Sequence, residues 1–361
     1  MLLYRRLCSA ASTTAAPIVV VGAAVTDMIT YVRRLPSPGE TIHGSEFVTG
    51  FGGKGANQAV QAALLSNRPR TRGANHDARS FGGNGSIFIK PATTARSVAF
   101  IGRVGSDSMG AETLANFDAV GVERKHVGED SASSTGCAPI TVDESGENSI
   151  IVVMAANDSL TAAHVEAARE TIAASQLVVC QLEIPLRTTA AALRIAKEEG
   201  VQTLLNCAPA FPLATLRDAG ILDHVDILAP NESETAVLLG SEAGDSDALL
   251  GSDDAASAAA LRLLEEVPHC STVVLTLGKR GAIVVERENG AIVRVPTGPE
   301  IPVDTVGAGD SFVGTLAYCL AVERMPMADA ARHAALVASR SVAKRGTQTS
   351  FPSTLHASLE S

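Results

Sequence analysis

Short apolar segments alternate with segments of helical spacing along most of the chain, and this alternation predicts the architecture. Apolar runs typical of buried strands stand at positions 18–21, 98–101, 177–182, 201–205, 225–228, 272–277, 282–286 and 291–295. Amphipathic segments typical of helices stand at positions 58–65, 110–120, 186–199, 232–239, 255–266, 311–322 and 328–344. Strands and helices in alternation predict an α/β fold whose mainly parallel central sheet carries helices on both faces.

Two segments depart from this pattern, because they are β-prone and rich in turn residues but lack long apolar runs. They are positions 28–50 and 131–156. In the second segment, Glu144-Ser-Gly-Glu-Asn148 separates two strand-like stretches, which predicts a hairpin. Strands that helices do not cover must pair with each other or with another chain. We therefore expect the two segments to form a small second β-sheet.

The composition changes at two other places in the chain. Positions 1–16 contain Arg5, Arg6 and many Ser, Thr and Ala residues but no acid, so we interpret them as a disordered tail. They faintly resemble a mitochondrial presequence, which leaves an organellar location open beside a cytoplasmic one. Positions 66–95 are rich in Gly, Asn, Arg, Ser and Pro, which predicts a surface insertion. The expected organisation is one domain at 17–355 that carries this insertion.

The overall composition excludes several classes of function. The 361 residues carry a net charge of −10, which argues against binding to nucleic acid or to a membrane surface. No apolar run reaches the roughly 18 residues that a membrane span requires. The six cysteines are scattered without a Cys-x-x-Cys pair, which is typical of reduced thiols in an intracellular protein. We therefore expect a cytoplasmic protein that acts on small molecules.

The stretch Asp304-Thr-Val-Gly-Ala-Gly-Asp310 precedes an apolar run of helical spacing. Glycines allow backbone N–H groups to converge on an anion, and the N-terminus of a helix adds further N–H groups and the positive end of its dipole. A carboxylate beside such an anion site is suited to orienting and deprotonating a hydroxyl group that attacks a phosphoryl group. The alternative interpretation is an ordinary helix start with an acidic first turn.

A second glycine cluster, Gly52-Gly-Lys-Gly-Ala-Asn57, opens the first helix. With Gly50 it fits G-x-G-x-x-G. A dinucleotide-binding site requires this pattern directly after the first core strand, whereas here the pattern follows the predicted small sheet. The cluster favours close backbone approach to a polyhydroxylated ligand, with Asn57 as both donor and acceptor. The alternative is a glycine-rich turn into a helix.

Several polar residues stand just after predicted strands, where ligands of α/β proteins bind. Asp27 follows the first strand, and Glu183 follows the strand at 177–182. Each has an ordinary alternative, as a turn residue or an exposed acid. Asn231 and Glu234 form the pattern of a capping box, and positions 276–281 form the pattern of a hairpin turn.

The two glycine-containing strings resemble, in the same order, the N-terminal and C-terminal signatures of the ribokinase-like carbohydrate kinases. The resemblance covers about 18–351. It implies a three-layer α/β/α fold in which the small sheet forms a lid over the sugar, and a homodimer in which two lids clasp. It implies ATP-dependent phosphorylation of the 5-hydroxyl group of D-ribose, with Mg²⁺ and K⁺. The alternatives are another sugar or nucleoside kinase, similar to fructokinase or adenosine kinase, and a non-catalytic sugar-binding protein, although the intact Asp310 argues against the last.

The resemblance also implies roles for individual residues. Asp310 becomes the catalytic base, with charge-stabilising N–H groups at Gly307, Ala308 and Gly309. The implied sugar contacts are Asp27, Gly53, Lys54, Gly55, Asn57, Glu183 and Asp310. The implied nucleotide contacts are Asn231, Thr276, Leu277, Gly278, Lys279, Arg280, Gly281, Gly309, Asp310 and Ala335. The implied K⁺ site, mostly of backbone carbonyls, is Asp304, Val306, Ser341, Lys344, Gly346 and Ser350, and Glu234 is associated with Mg²⁺ and phosphate placement.

The chain departs from the family pattern at three positions. The family usually carries Asn two residues before the sugar-binding Asp, where this chain has Val25. We expect this change to alter recognition of one sugar hydroxyl group. Thr347 and Thr349 stand where the family often has Ala and Pro, and a site made of carbonyl groups tolerates both changes.

Overall fold

The computed structural model of the protein describes residues 16–67 and 96–355. The predicted tail lies outside the described residues except for position 16, and the predicted insertion lies outside them except for Ser66 and Asn67. Among the described residues, no helix is long and apolar enough to cross a membrane.

Nine of the described strands form one twisted sheet, and four form another. In chain order the strands are β1 Ile18–Val21, β2 Val25–Val32, β3 Gly44–Gly52, β4 Val98–Gly105, β5 Val122–Asp130, β6 Gly136–Val142, β7 Asn148–Ile150, β8 Leu177–Cys180, β9 Gln202–Asn206, β10 Ile227–Ala229, β11 Thr272–Thr276, β12 Ala282–Glu286 and β13 Ile292–Val295. The central sheet has the order β13-β12-β11-β10-β9-β8-β1-β4-β5, and its strands run in one direction except for β12, which is antiparallel to its neighbours β11 and β13. The predicted α/β fold with a mainly parallel sheet is confirmed.

Helices cover both faces of the central sheet. They are α1 Lys54–Ser66, α2 Ser108–Val120, α3 Ala162–Glu166, α4 Arg169–Ala173, α5 Leu186–Glu198, α6 Leu213–Asp218, α7 Glu232–Leu238, α8 Ser246–Leu250, α9 Asp253–Glu266, α10 Ala308–Ala321 and α11 Met327–Ser341. Alternate residues of a strand point to opposite faces, so Val19 and Val21 join one apolar cluster with α5 and α9. Ile18 and Val20 join the other, with α1, α10 and α11.

The second sheet has the order β3-β2-β6-β7. β2 pairs with β3 in the antiparallel sense and with β6 in the parallel sense. The prediction that the two β-prone segments form a small sheet is therefore confirmed. Large apolar side chains remain exposed on it or directly beside it, including Phe47 on β3 at 58% exposure and Ile151, the residue after β7, at 65% exposure.

β5 is a strand that the sequence pattern did not predict. It pairs with β4 alone, at the edge of the central sheet. Its sequence contains Glu123, Arg124 and Lys125, and none of these side chains is fully buried. An edge strand can carry charges on its open side, so the continuous apolar run that marks an interior parallel strand is missing here.

The two glycine motifs meet because α1 and α10 lie side by side on one face of the central sheet. Ser311 Oγ on α10 donates to Gln61 Oε1 on α1 at 3.0 Å, and both side chains are fully buried. Each helix begins at its own glycine motif. The packing of the two helices therefore brings the two motifs to the same end of the sheet.

Candidate active site

Asp310 lies in the first turn of α10. Gly307 is the N-cap residue and has a φ of 77°, a left-handed conformation that favours glycine. A Cβ atom at this position would also lie 2.6 Å from Thr347 Cγ2, so the close approach of the two segments requires glycine. The Asp310 side chain is 8% exposed, and its small exposed surface faces a cleft of about 180 Å³.

The cleft collects residues from four separate predicted motifs. Lys54 comes from the start of α1, Asn231 and Glu234 from the start of α7, and Thr276 from the end of β11. Gly307, Gly309 and Asp310 complete this side. All these elements end or begin at one edge of the sheet, where parallel α/β proteins bind their ligands.

Both carboxylate oxygens of Asp310 accept hydrogen bonds from amide side chains of α1. Asn57 Nδ2 donates to Oδ2 and Gln58 Nε2 donates to Oδ1, each at 2.9 Å. Gln58 Nε2 also donates to Asn206 Oδ1 at 3.0 Å, and Asn206 lines the cleft. Gln58 and Asn206 were not among the predicted site residues. The only sequence signal for Gln58 is its position next to Asn57.

The predicted sugar-binding residues lie near Asp310, where the small sheet joins the central sheet. Asp27 lies on β2, and Gly53, Lys54 and Gly55 follow β3 into α1. The backbone N–H of Lys54 donates to Glu183 Oε2 at 2.7 Å, which joins the glycine motif to the segment after β8. Asn57 was predicted to donate to a ligand and to accept from it. In the structure, its Oδ1 accepts from Gln348 Nε2 and its Nδ2 donates to Asp310 Oδ2, each at 2.9 Å.

Burial and mutual repulsion shift the pKa values of the acids in this region. Burial raises the pKa of Asp27 to about 6, and the negative charge of Asp310 contributes. Burial raises the pKa of Glu183 to about 7, although the positive charge of Lys54 opposes the shift. Burial also raises the pKa of Glu234. Carboxylates with raised pKa values in a cleft are typical of functional sites.

The Lys54 ammonium group balances these acids. Burial lowers its pKa, but the charges of Asp310, Glu183 and Glu234 raise it by more, so the pKa lies above its ordinary value. Lys54 is therefore a half-buried cation at neutral pH. A cation in this position suits an anionic group that enters the cleft.

The predicted nucleotide segment lies on the far side of the cleft. Asn231 and Glu234 form a capping box, in which Glu234 Oε2 accepts from Asn231 N and Glu234 Oε1 accepts from Asn231 Nδ2, each at 2.8 Å. Arg280 Nη2 donates to Glu232 Oε1 at 2.6 Å, and Leu277 N donates to Gly281 O at 2.8 Å. Both predicted alternatives, the capping box and the turn, are thus present beside the cleft.

Two predicted nucleotide residues have buried side chains. Leu277 packs in one apolar cluster at 2% exposure, so it presents only its backbone to a ligand. Ala335 lies in α11 in the other apolar cluster, and it is not among the residues that line the cleft. Lys279, in contrast, is exposed at the turn, as is Gly278.

The two predicted K⁺ segments contact each other next to Gly307. Asp304 Oδ1 accepts from Val306 N at 3.0 Å, and Asp304 Oδ2 accepts from Gly346 N at 2.9 Å. Ser350 is buried and donates through Oγ to Thr347 O at 2.8 Å. Two further predicted ligands differ in exposure, since Ser341 is buried and Lys344 is exposed. Among the described residues, no group of three or more His, Cys, Asp and Glu side chains forms a metal site.

Comparison with known proteins gives a consistent family and fold. The family model for pfkB family carbohydrate kinases matches residues 15–354. Ribokinase of Mus musculus is 35% identical over 339 residues, which cover 94% of this chain and 92% of that protein. Deoxyribokinase of Salmonella typhi is 33% identical over 336 residues, which cover 93% of this chain and 95% of that protein.

Solved structures agree with the sequence comparison. The structure of Arabidopsis thaliana ribokinase complexed with ribose and ATP superposes with a TM-score of 0.75 at 28% sequence identity. The superposition covers 94% of this chain and 96% of the Arabidopsis chain.

Proposed function

Since the chain belongs to the pfkB family of carbohydrate kinases, we propose that it transfers the γ-phosphoryl group of ATP to the 5-hydroxyl group of D-ribose. The observation that carries the proposal is the position of Asp310, which lies at the N-terminus of α10 and faces the cleft. The relatives named ribokinase in mouse and Arabidopsis support the choice of sugar and of nucleotide. The products are ribose 5-phosphate and ADP.

Asp310 acts as the general base. Its carboxylate accepts the proton of the sugar hydroxyl as the oxygen attacks the phosphorus atom, and the bond to the β-phosphate oxygen breaks. The first N–H groups of a helix lack partners within the helix. Those of Gly307, Gly309 and Asp310 therefore stabilise the charge on the transferred group, assisted by the positive end of the helix dipole. The N–H group of Ala308 donates to Thr305 O at 3.2 Å in this structure and would have to exchange that bond to join them.

The sugar lies between the two sheets, against Asp27, Glu183 and Lys54. Sugar hydroxyl groups donate to the two carboxylates. Gly53 and Gly55 let the start of α1 approach the backbone of residues 22–25, since a Cβ atom at either glycine would lie 2.8 Å from that backbone, and this approach positions Lys54 beside the sugar. The nucleotide lies on the opposite side of Asp310, with Asn231 and Thr276 at the cleft and the turn of residues 278–281 beyond it.

Two cations fit the oxygen groups of this region. When bound, Mg²⁺ neutralises charge on the phosphates of ATP, and K⁺ orders the loop before α10. Glu234 offers a carboxylate at the cleft for the Mg²⁺ side. Asp304, the buried Ser350 and the carbonyl groups of Val306, Ser341, Lys344 and Gly346 offer only hard oxygen ligands, which suits K⁺.

One experiment tests the activity and the base together. ATP turnover is measured with coupled detection of ADP over a panel of pentoses, hexoses and nucleosides, with wild type and Asp310→Asn. D-Ribose should give the highest kcat/KM, and Asp310→Asn should lower kcat by roughly 10² or more while ATP still binds. No sugar-dependent turnover by the wild type would reject the kinase, and near-normal turnover by Asp310→Asn would reject the base.

A second substrate, 2-deoxy-D-ribose, is favoured by one specific observation. Val25 is buried at the start of β2, two residues before Asp27, and it offers no hydrogen bond where the family usually has an amide. The deoxyribokinase of Salmonella typhi is among the relatives. An amide at position 25 would form a hydrogen bond with the 2-hydroxyl group of ribose, which deoxyribose lacks. Val25→Asn should therefore raise the ratio of kcat/KM for ribose to that for deoxyribose by about 10-fold or more.

We also propose that residues 17–355 act as one kinase domain, in which residues 28–50 and 131–156 form a lid that clasps the lid of a second copy. The exposed apolar side chains on and beside the small sheet, which include Phe47 and Ile151, support this interface. Sedimentation should find a dimer at micromolar concentration, and ribose should slow amide exchange in the lid more than in α10. A fully active monomer would contradict the clasp.

The cytoplasm is the proposed location. The five cysteines within the described residues are free thiols, as expected in a reducing compartment. Detection of the protein in a fractionated organelle would favour the alternative.

A further inference from the structure

Two chains of amide side chains end on the two oxygens of Asp310. In the first, Gln181 Nε2 donates to Gln58 Oε1 at 2.6 Å, and Gln58 Nε2 donates to Asp310 Oδ1 at 2.9 Å. In the second, Gln348 Nε2 donates to Asn57 Oδ1 at 2.9 Å, and Asn57 Nδ2 donates to Asp310 Oδ2 at 2.9 Å. Each oxygen of the carboxylate therefore has one amide N–H group directed at it.

The charge of Asp310 fixes the orientation of every amide in these chains. An ionised carboxylate only accepts hydrogen bonds, so Gln58 must turn its Nε2 group towards Asp310. Its Oε1 then faces Gln181, which must in turn present Nε2. By the same reasoning Gln348 presents Nε2 to Asn57, and its Oε1 accepts from Asn116 Nδ2 at 2.9 Å.

Both glutamines of the Gln58 chain are buried. Gln58 is 1% exposed and Gln181 is fully buried, and the fold holds both in the region between β8 and α1. Gln181 Oε1 is buried without a hydrogen-bond partner among the described residues. Such a group destabilises a fold, so the arrangement does not serve packing alone. It serves to direct one N–H group at Asp310.

We propose that Gln58 is a positioning residue for the base: it holds the Asp310 carboxylate in a fixed orientation, with its remaining lone pairs directed to the cleft, and Gln348 supports the other oxygen through Asn57. Because one amide N–H group is directed at each oxygen, the two chains together fix the plane of the carboxylate. The inference rests on the proposed role of Asp310 as the base.

The variant Gln58→Met tests the inference, because methionine has a similar volume and no donor. Gln61→Met is a matched control, since Gln61 lies on the same helix, is fully buried and bonds Ser311 Oγ and Pro352 O instead of Asp310. We expect Gln58→Met to lower kcat by about 10- to 100-fold while the KM for ATP stays within about threefold of wild type. Gln61→Met should change kcat by less than about threefold.

A pH profile distinguishes positioning from a general structural effect. The charged side chains that act on or with Asp310 in this region are Lys54, Asp27, Glu183 and Glu234. They remain in place in Gln58→Met and in Gln58→Glu. Gln58→Glu directs a carboxylate at the base, so the acidic limb of its profile of kcat against pH should move to higher pH by about half a unit or more.

A third measurement keeps the inference testable if the Gln58 variants do not fold. Gln348 is only half-buried and lies in a turn, so Gln348→Met should fold and should lower kcat by about threefold or more without raising the KM for ATP. In an Asp310→Ala background, Gln348→Met should have no further effect on residual kcat. If the Gln58 or Gln348 variants match Gln61→Met in kcat and in pH profile, the inference is overturned. If wild type itself shows no sugar-dependent turnover, the proposed function fails instead.

Discussion

Asn157 joins the small sheet to the central sheet, and its replacement by alanine should destabilise the domain. The residue lies in the 3₁₀ turn Ala155–Ser159, just after the small sheet, and is fully buried. Its Oδ1 accepts from Ala24 N, and its Nδ2 donates to Ala24 O and Met154 O, all at 2.9 Å. Ala24 connects β1 to β2, so one side chain holds both the exit from the central sheet and the return to it.

The expected loss follows from these three bonds. A net intramolecular hydrogen bond contributes about 1 kcal/mol, and a buried backbone group left without a partner costs about 1–3 kcal/mol. Asn157→Ala should therefore lower the free energy of unfolding by about 3 kcal/mol or more. With an unfolding entropy of about 2.1 cal/mol/K per residue, a domain of about 340 residues should then show a fall in Tm of roughly 4 °C or more.

Thermal unfolding followed by circular dichroism measures this loss. Asn289→Ala is the control, because Asn289 is exposed and its Oδ1 accepts from the nearby Ala291 N at 2.8 Å. Its cost should stay below about 1 kcal/mol. Asn157→Asp should not rescue stability, since it directs a carboxylate at two carbonyl oxygens. If Asn157→Ala melts within about 2 °C of wild type, the three bonds do not hold the sheets together and the reasoning is wrong.

Three further predictions concern the ligand sites. Glu183→Ala should raise the KM for ribose far more than the KM for ATP, because it removes an acceptor on the sugar side and the partner of Lys54 N. Steady-state kinetics measure both constants, and a change in the KM for ATP alone would show that the sugar does not bind at Glu183. Gly281→Ala should raise the KM for ATP, because Gly281 has a φ of 90° and an added Cβ would collide with Val295 O; an unchanged KM would remove this turn from the nucleotide site. In the sugar-free protein, Asp27 and Glu183 should contribute a loss of stability as pH rises from about 4 to about 7, because their raised pKa values, about 6 and about 7, mean that both bind more protons in the folded chain than in the unfolded chain. Urea unfolding at several pH values measures this contribution as the difference in stability between wild type and Glu183→Gln, and a difference that does not fall as pH rises would contradict it.

The central sheet could be predicted because its strands are buried on both faces. A strand such as Leu177–Cys180 must be apolar at every position, and that requirement is visible in a few consecutive residues. The edge strand β5 could not be predicted in this way, since its open edge permits charged residues. Local pattern therefore reports burial on two faces better than it reports pairing.

The candidate site was predictable only where a motif carried it. The bond between Asn57 and Asp310 spans 253 positions of the chain, and no local pattern specifies a contact of that range. Both residues were predicted because each stands in a glycine-rich string. Gln58 directly follows the first string, and Gln348 lies between Thr347 and Thr349 in the predicted K⁺ segment, but no pattern assigned either glutamine to Asp310. A glutamine at these positions is equally compatible with an exposed surface.

Helix α1 connects the proposed lid to the proposed base through the continuity of the chain. β3 ends at Gly52 and α1 begins at Lys54, so a single residue separates the lid from the helix. The first turns of that helix hold both acids, because Lys54 N donates to Glu183 and Asn57 donates to Asp310. If sugar binding displaces β3, as the proposed lid requires, the displacement acts directly on the groups that orient Asp310. The proposed exclusion of water by the lid and the alignment of the proposed base would then depend on the same element, so a sugar that fails to close the lid should also leave the base poorly aligned.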